Sequence, residues 1–281
     1  MQYLVDGLLI GFVYGVAAMG MSLIWGVMDV INLAHGVLIA LGSFGIYFLV
    51  TSLGVDPYVA VVITGAGGLL AGVGIYRIAI QRVLNTSSLS TLLATFSVNM
   101  ILVGLGTQAF TTNPRSLDTN LGSLTIGSVT VQVTRLIAAL ASILVAGALY
   151  LFLNRTTPGK FVRATTNNRD AAELMGIRSQ RMLAFSFGLG CMLAAIAGGL
   201  IATFFPFNIL SGDAYQLKSF VIVVLGGLGN PLGALLGGLI LGALEGILPA
   251  LIPTTWVPVF EFVLFVIILI VRPRGLLGAK R

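Results

Sequence analysis

The sequence predicts an all-α fold, a polytopic transmembrane bundle of about eight to nine spans with broken or re-entrant segments. Two observations about composition and one about pattern predict it. Hydrophobic residues make up 57% of the 281-residue chain and charged residues only 9%, where a soluble domain is about one-quarter charged. Mean hydropathy is +1.05. Uncharged apolar runs recur at the length of roughly 20 residues that crosses a bilayer, with Lys and Arg gathered between them.

The spans follow in order. The N-terminus lacks a basic leader and its apolar run is too long for a signal peptide, so residues 7–28 read as a retained first span. Residues 29–35, DVINLAH, interrupt it. Residues 36–55 form a second span closed by Asp56-Pro57, and residues 58–76 a third that ends at Arg77 and Arg82. Residues 89–108 form a fourth. Residues 111–132 are a polar loop rich in Thr, Asn and Ser, with strand-like alternation near 124–133. Residues 135–153 are a fifth span, and residues 182–205 a sixth that Pro206 ends. Residues 207–216 read as a short loop holding Asp213. Residues 218–250 are one glycine-rich run, two full helices or a re-entrant hairpin, and 256–271 is the last span. All of this reads as a single transmembrane domain over residues 1–281.

The long polar segment at residues 154–181 fixes the orientation. It carries Arg155, Lys160, Arg163, Arg169, Arg178 and Arg181 against only Asp170 and Glu173. Short basic loops stay cytoplasmic. Arg77, Arg82 and the basic tail 272–281 then belong inside, and the loop 111–132 and the N-terminus outside. The count needs an odd number of crossings after residue 207. Within the segment, Asn167 or Asn168 is a helix cap, Asp170 and Glu173 suit a helix N-terminus, and Gly176 is a stop. Ala171, Leu174 and Met175 would share one apolar face. A short half-apolar helix held at the membrane surface suits docking to a partner, with Arg169 and the flanking charges at its rim.

Glycines recur every fourth residue at Gly7, Gly11 and Gly15, at Gly229, Gly233 and Gly237, and at Gly238, Gly242 and Gly246. Such ridges let helix backbones touch in lipid, so the protein is a tight bundle. Two stretches break the spans: residues 29–36, with Asn32, His35 and Gly36, and residues 226–233, GGLGNPLG, with Gly229, Asn230 and Gly233. Pro231 ends a helix and the glycines tolerate a turn. Irregular backbone at membrane depth lines a cavity or is buried in protein, so both breaks are candidates for a substrate path.

Catalytic patterns are absent from the sequence. His35 is its one histidine and Cys191 its one cysteine, which excludes a disulfide within the chain and a thiol metal cluster. No metal or cofactor is expected. There is no phosphate-binding G-x-x-x-x-G-K-[ST] sequence, so ATP-driven transport would need another subunit to supply the ATPase. The net charge of +6 sits at span ends and signals no nucleic acid. The ionisable residues within the spans are His35, Lys218, Glu245 and Glu261, and charge there is functional by default. Lys218 also has the length to snorkel to an interface, and Glu261 to lie near the end of its span.

The stretch Gly26-Val27-Met28-Asp29-Val30-Ile31-Asn32-Leu33-Ala34-His35-Gly36 resembles the I-N-x-A-H-G signature of the branched-chain amino acid ABC permeases of the LivH/LivM type. Residues 225–238, LGGLGNPLGALLGG, are similar to their second signature, followed by Glu245 in its G-x-x-E. Residues 157–177 resemble their cytoplasmic coupling loop, and the I-N-x-A-H-G form points to the LivH side of the pair. The resemblance implies a multi-pass subunit of a bacterial or archaeal inner membrane, in an ATP-driven importer and not itself an enzyme. Its implied partners are a LivM-like second permease chain, ATPase subunits, an extracytoplasmic substrate-binding protein and membrane lipid. The substrate would be a branched-chain or other hydrophobic amino acid. Urea, short-amide and sugar permeases, and an ion-coupled secondary transporter, are the alternatives.

Overall fold

The computed structural model describes every residue except 118, 120, 127, 128, 273, 274 and 278–281. Helix α1 (Gln2–Met28) ends on Asp29 in the left-handed conformation, φ 54°. Helix α2 (His35–Leu53) ends on Gly54. Asp56 caps α3 (Pro57–Ile75), its Oδ1 accepting the amides of Tyr58 and Val59. A π turn, Tyr76–Ile80, extends α3. Ser87 caps α4 (Ser88–Phe110) by accepting the Ser90 amide. The alternating stretch forms an antiparallel hairpin, β1 (Ser123–Ile126) with β2 (Val129–Gln132). Then come α5 (Val133–Arg155), α6 (Thr157–Asn167), α7 (Arg169–Leu174) and α8 (Ser179–Ala202). Helices α9 (Ser211–Gly226), α10 (Pro231–Ile247) and α11 (Val257–Val271) close the chain.

Among the described residues, eight helices are long and apolar enough to cross a membrane. Helix α9, with 16 residues, is not one of them. Helices α10 and α11 reach spanning length only with the adjoining 3-10 turns, over Pro231–Ala250 and Thr254–Val271, and α9 has no such extension. It packs against α1, α2, α10 and α11 instead. Residues 211–216, expected in a loop, are its first turns. The 218–250 run is therefore a helical hairpin of α9 and α10, folded at Gly227–Asn230. The 154–181 segment holds two helices rather than one, and Asn168, not Asn167, is the cap.

Helix α8 is the axis, buried along almost its whole length against α1, α2 and α3. Small residues allow it. A Cβ on Gly198 would strike the Ile39 carbonyl, and one on Gly42 the Ala195 backbone. The two outer glycine ridges of the sequence face each other. Gly7, Gly11 and Gly15 of α1 meet Gly246, Gly242 and Gly238 of α10 in antiparallel order, backbone on backbone. With no solvent to drive helix association in lipid, this contact area is what holds the pair.

The two ends of the bundle separate cleanly. Arg169 donates to Asn85 and Gln81 to Gln180, so the 77–87 loop shares one end with 154–181. Gly229 lies on Gly26 at that same end, and residues 276 and 277 bond to Leu225 and Gly226 there. The rest of the basic tail, 273–274 and 278–281, lies outside the described residues. At the opposite end Gln2 bonds to Thr130, Asp6 pairs with Arg135, and Arg115 bridges to Phe207. The first group is called the basic end below, and the second the hairpin end.

Candidate functional site

At the basic end, Thr156 caps α6 through the Gly159 amide and Asn168 caps α7 through the Ala171 amide at 2.9 Å. Gly176, at φ 83°, turns the chain away after α7. Ala172 is buried and anchors the helix, while Ala171 is exposed. Leu174 and Met175 are 89% and 83% exposed. Arg169 lies 3.4 Å from Glu173, one turn on, and holds Asn85 on its other side. Asp170 stands in the first turn, where the helix dipole favours acid. The result is an exposed apolar tip between two membrane helices. Beside it is a 600 Å³ recess lined by Lys160, Phe161, Met175, Arg178, Arg181 and Met182.

The second candidate lies inside the bundle. Between α1 and α2 the chain re-enters without regular secondary structure and closes in a turn at Leu33–Ala34. His35 Nε2 meets the Ala17 carbonyl at 2.8 Å. Ala17 lies eleven residues before the end of α1, so the segment climbs about 16 Å back along that helix. An acceptor opposite Nε2 puts the imidazole proton on that nitrogen. Nδ1 then has no partner among the described residues. Asn32 Oδ1 accepts the Ala34 amide, and Thr95 donates to the Ile31 carbonyl. Gln216 of α9 closes the loop: its Oε1 accepts the Gly36 amide at 2.6 Å, and its Nε2 donates to the Asn32 carbonyl. Asn32 and His35 are buried in protein rather than open to a cavity. Gly36 is required because a Cβ would run into the Gly212 carbonyl of α9.

On another side of α9, Lys218 Nζ stands 2.5 Å from Glu245 Oε1 of α10. Lys218 is thus paired at depth and does not snorkel. Tyr14 of α1 bonds to both, at 3.4 Å each, and its ring lies under the ammonium. Tyr215 packs on Tyr14. Glu261 lies near the start of α11, as its place in the span suggests, and is buried.

The other break is a turn at the basic end. Gly229 takes φ 78°, Asn230 caps α10 through the Gly233 amide, and its side-chain amide donates to Leu277. The predicted path residues therefore fall in three places: Asn32, His35 and Gly36 against one side of α9, Glu245 against another, and Gly229, Asn230 and Gly233 at the basic end. Gln216 and Tyr14 were not singled out by sequence reasoning. Nothing distinguishes a glutamine or a tyrosine in an apolar run until its partner is known. Among the described residues no group of His, Cys, Asp or Glu is arranged to hold a metal.

A family model described as the branched-chain amino acid transport system / permease component matches residues 3–271. The chain belongs to that family. This permease is 29% identical over 297 residues to the high-affinity branched-chain amino acid transport system permease protein LivH of Escherichia coli (strain K12), covering 99% of this chain and 95% of that one. It is 28% identical over 299 residues to the permease protein BraD of Pseudomonas aeruginosa, with the same coverage. Among solved structures, a chain of PsaBC from Streptococcus pneumoniae in complex with Fab superposes with a TM-score of 0.51. At 14% identity over 98% of this chain and 93% of that one, that likeness concerns the fold alone. The permease is a multi-pass inner-membrane protein, a permease component of the ABC type.

Proposed function

We propose that this permease is one half of the membrane path of an ATP-driven importer for branched-chain or other hydrophobic amino acids. In this reading residues 1–281 work as a single permease domain, paired with a second, LivM-like permease chain. The basic end faces the cytoplasm, because six Lys and Arg in residues 154–181 obey the positive-inside rule. The hairpin end faces an extracytoplasmic binding protein. Residues 169–176 dock on the ATPase, with Leu174 and Met175 as apolar anchors and Arg169, Asp170, Glu173 and the arginines beyond Gly176 setting the register. The path runs near the re-entrant segment at Asn32, His35 and Gly36, the turn at Gly229, Asn230 and Gly233, and Glu245.

The observation that carries the reading is the exposed Leu174–Met175 tip on a rigidly capped turn. Two large apolar side chains exposed on the basic end suit a protein cover, and ATP-driven transport by a chain with no nucleotide motif would draw on a separate ATPase. Amino acids as cargo follow from the relatives at 29% and 28% identity. The test is uptake of labelled leucine, isoleucine and valine by cells with and without this gene. Loss on deletion and recovery on complementation are expected. Loss of urea or sugar uptake instead, or uptake that survives ATPase inactivation but collapses with the proton gradient, would overturn the proposal.

A further inference from the structure

A cavity of about 290 Å³ lies at the basic end between α1, α5, α6 and the start of α10. Its walls are apolar: Met19, Leu23 and Val27 of α1, with Leu149 and Leu153 of α5. Met19, Leu23 and Leu149 are buried, so these walls are packed from behind. Met19 stands nine residues before the end of α1, and the cavity therefore reaches about 14 Å inward from that end.

Most of the polar side chains that line it are already engaged. Asn154, near the end of α5, donates to the Tyr150 carbonyl and accepts from Arg163 Nη1 at 2.6 Å. Thr166 donates to the Val162 carbonyl of its own helix. Asn230 holds the Gly233 amide and the Leu277 carbonyl. Arg163 differs. A guanidinium carries five N–H donors, and the bond to Asn154 is the one it makes among the described residues. It forms no ion pair there, and no Asp or Glu lines the cavity. An exposed cation without a counter-charge thus borders a packed apolar cavity.

We infer that this cavity binds a short branched carboxylate that arrives from the basic end, its head on Arg163 and its tail between α1 and α5. Mostly apolar walls with a few placed polar groups are the usual make-up of a small-molecule site. Size limits the tail. An apolar cavity of ~150 Å³ accepts benzene, so this one has room for about six carbons with a carboxylate. Charge sets the class. One cation with no acid beside it matches a monoanion, whereas an amino acid would bring an ammonium for which the lining offers no carboxylate. The 2-oxo acid with the side chain of leucine, 4-methyl-2-oxopentanoate, has the required shape and charge. Bound there it ties α6 to α1 and α5. Helix α6 runs straight into α7, the segment proposed to meet the ATPase, so occupancy slows transport. That consequence rests on the importer reading above; the binding itself does not.

The test begins with the permease purified together with the subunits it retains, and follows radiolabelled 4-methyl-2-oxopentanoate by equilibrium dialysis. Saturable binding is expected. Arg163→Gln should weaken it roughly tenfold or more, the worth of one charge-assisted hydrogen bond. Val27→Phe, which fills the cavity and keeps Arg163, should weaken it as well. Arg155→Gln removes a cation that does not line the cavity and should leave binding unchanged. Leucine and the uncharged 4-methylpentan-1-ol should compete less well than the unlabelled oxo acid, the alcohol by roughly tenfold or more. In proteoliposomes of the complete transporter, the oxo acid supplied at the basic end should slow leucine transport by the wild type and not by Arg163→Gln. Absence of saturable binding, or binding undiminished by either Arg163→Gln or Val27→Phe, overturns the inference. So does competition by the alcohol as strong as that of the acid, the mark of a groove for lipid chains. Leucine competing equally overturns the choice of an ammonium-free anion. Binding without slowing overturns the transport consequence. Wild-type proteoliposomes that do not move leucine would instead overturn the importer reading and leave the binding result standing.

Discussion

Leu174→Asp tests the docking of α7. Leu174 is 89% exposed in the chain, so the substitution should leave folding within about 0.5 kcal/mol. Any larger effect reports on a partner. If Leu174 is covered on docking, its burial contributes about 1.5–3 kcal/mol. A carboxylate in its place leaves a buried unpaired charge, a further ~3–5 kcal/mol. The lower bound of the sum is used here. About 4.5 kcal/mol weakens association by roughly 10³-fold. Affinity-purified wild-type permease should bring the ATPase with it. The Leu174→Asp variant should reach the membrane in normal amount, lose the ATPase on purification and stop transport. A variant that copurifies with a full complement of ATPase and couples hydrolysis to uptake would refute the docking site and leave α7 as a surface turn.

Further expectations follow from packing and topology. Gly11→Leu or Gly242→Leu pushes side chains into the facing backbone of the α1–α10 contact, which should cost about 1–3 kcal/mol or more and lower thermal stability in detergent. Gly147→Leu, in α5 where nothing lies within 4 Å of an added Cβ, is the control and should not lower it. Gln216→Ala removes both bonds that pin residues 32–36 to α9, about 1–3 kcal/mol. Unchanged thermal stability and uptake in that variant would mean the re-entrant segment is held by its other contacts. With the buried Cys191 replaced, cysteines at Leu121 and Asn167 should react with impermeant reagents from opposite sides of the membrane. Reaction from the same side would overturn the orientation.

Much of this permease was legible in its sequence because lipid imposes local rules. A span must be about 20 apolar residues long whatever surrounds it. Seven of the eight long helices could therefore be read from hydropathy, the eighth lying inside the undivided 218–250 run, and the hairpin could be read from alternation. The Asn168 cap and the Gly176 stop are also local, set by bonds three residues apart or by one φ angle. The glycine ridges announced close packing, since only small residues at every fourth position permit it. Which ridge meets which is a matter of pairing across more than 200 residues, and only the tertiary structure decided that α1 lies antiparallel on α10. The same holds for α9. Its length and composition left two helices or a re-entrant hairpin open, and its burial among α1, α2, α10 and α11 resolved the 218–250 run. The sequence named Lys218, Glu245 and Glu261 as costly charges, because charge in hydrocarbon is costly anywhere. The meeting of Lys218 with Glu245 could not be read, nor could the grip of Gln216 on Gly36 and Asn32. A salt bridge or side-chain hydrogen bond depends on distance in space, and no spacing along these helices encodes it.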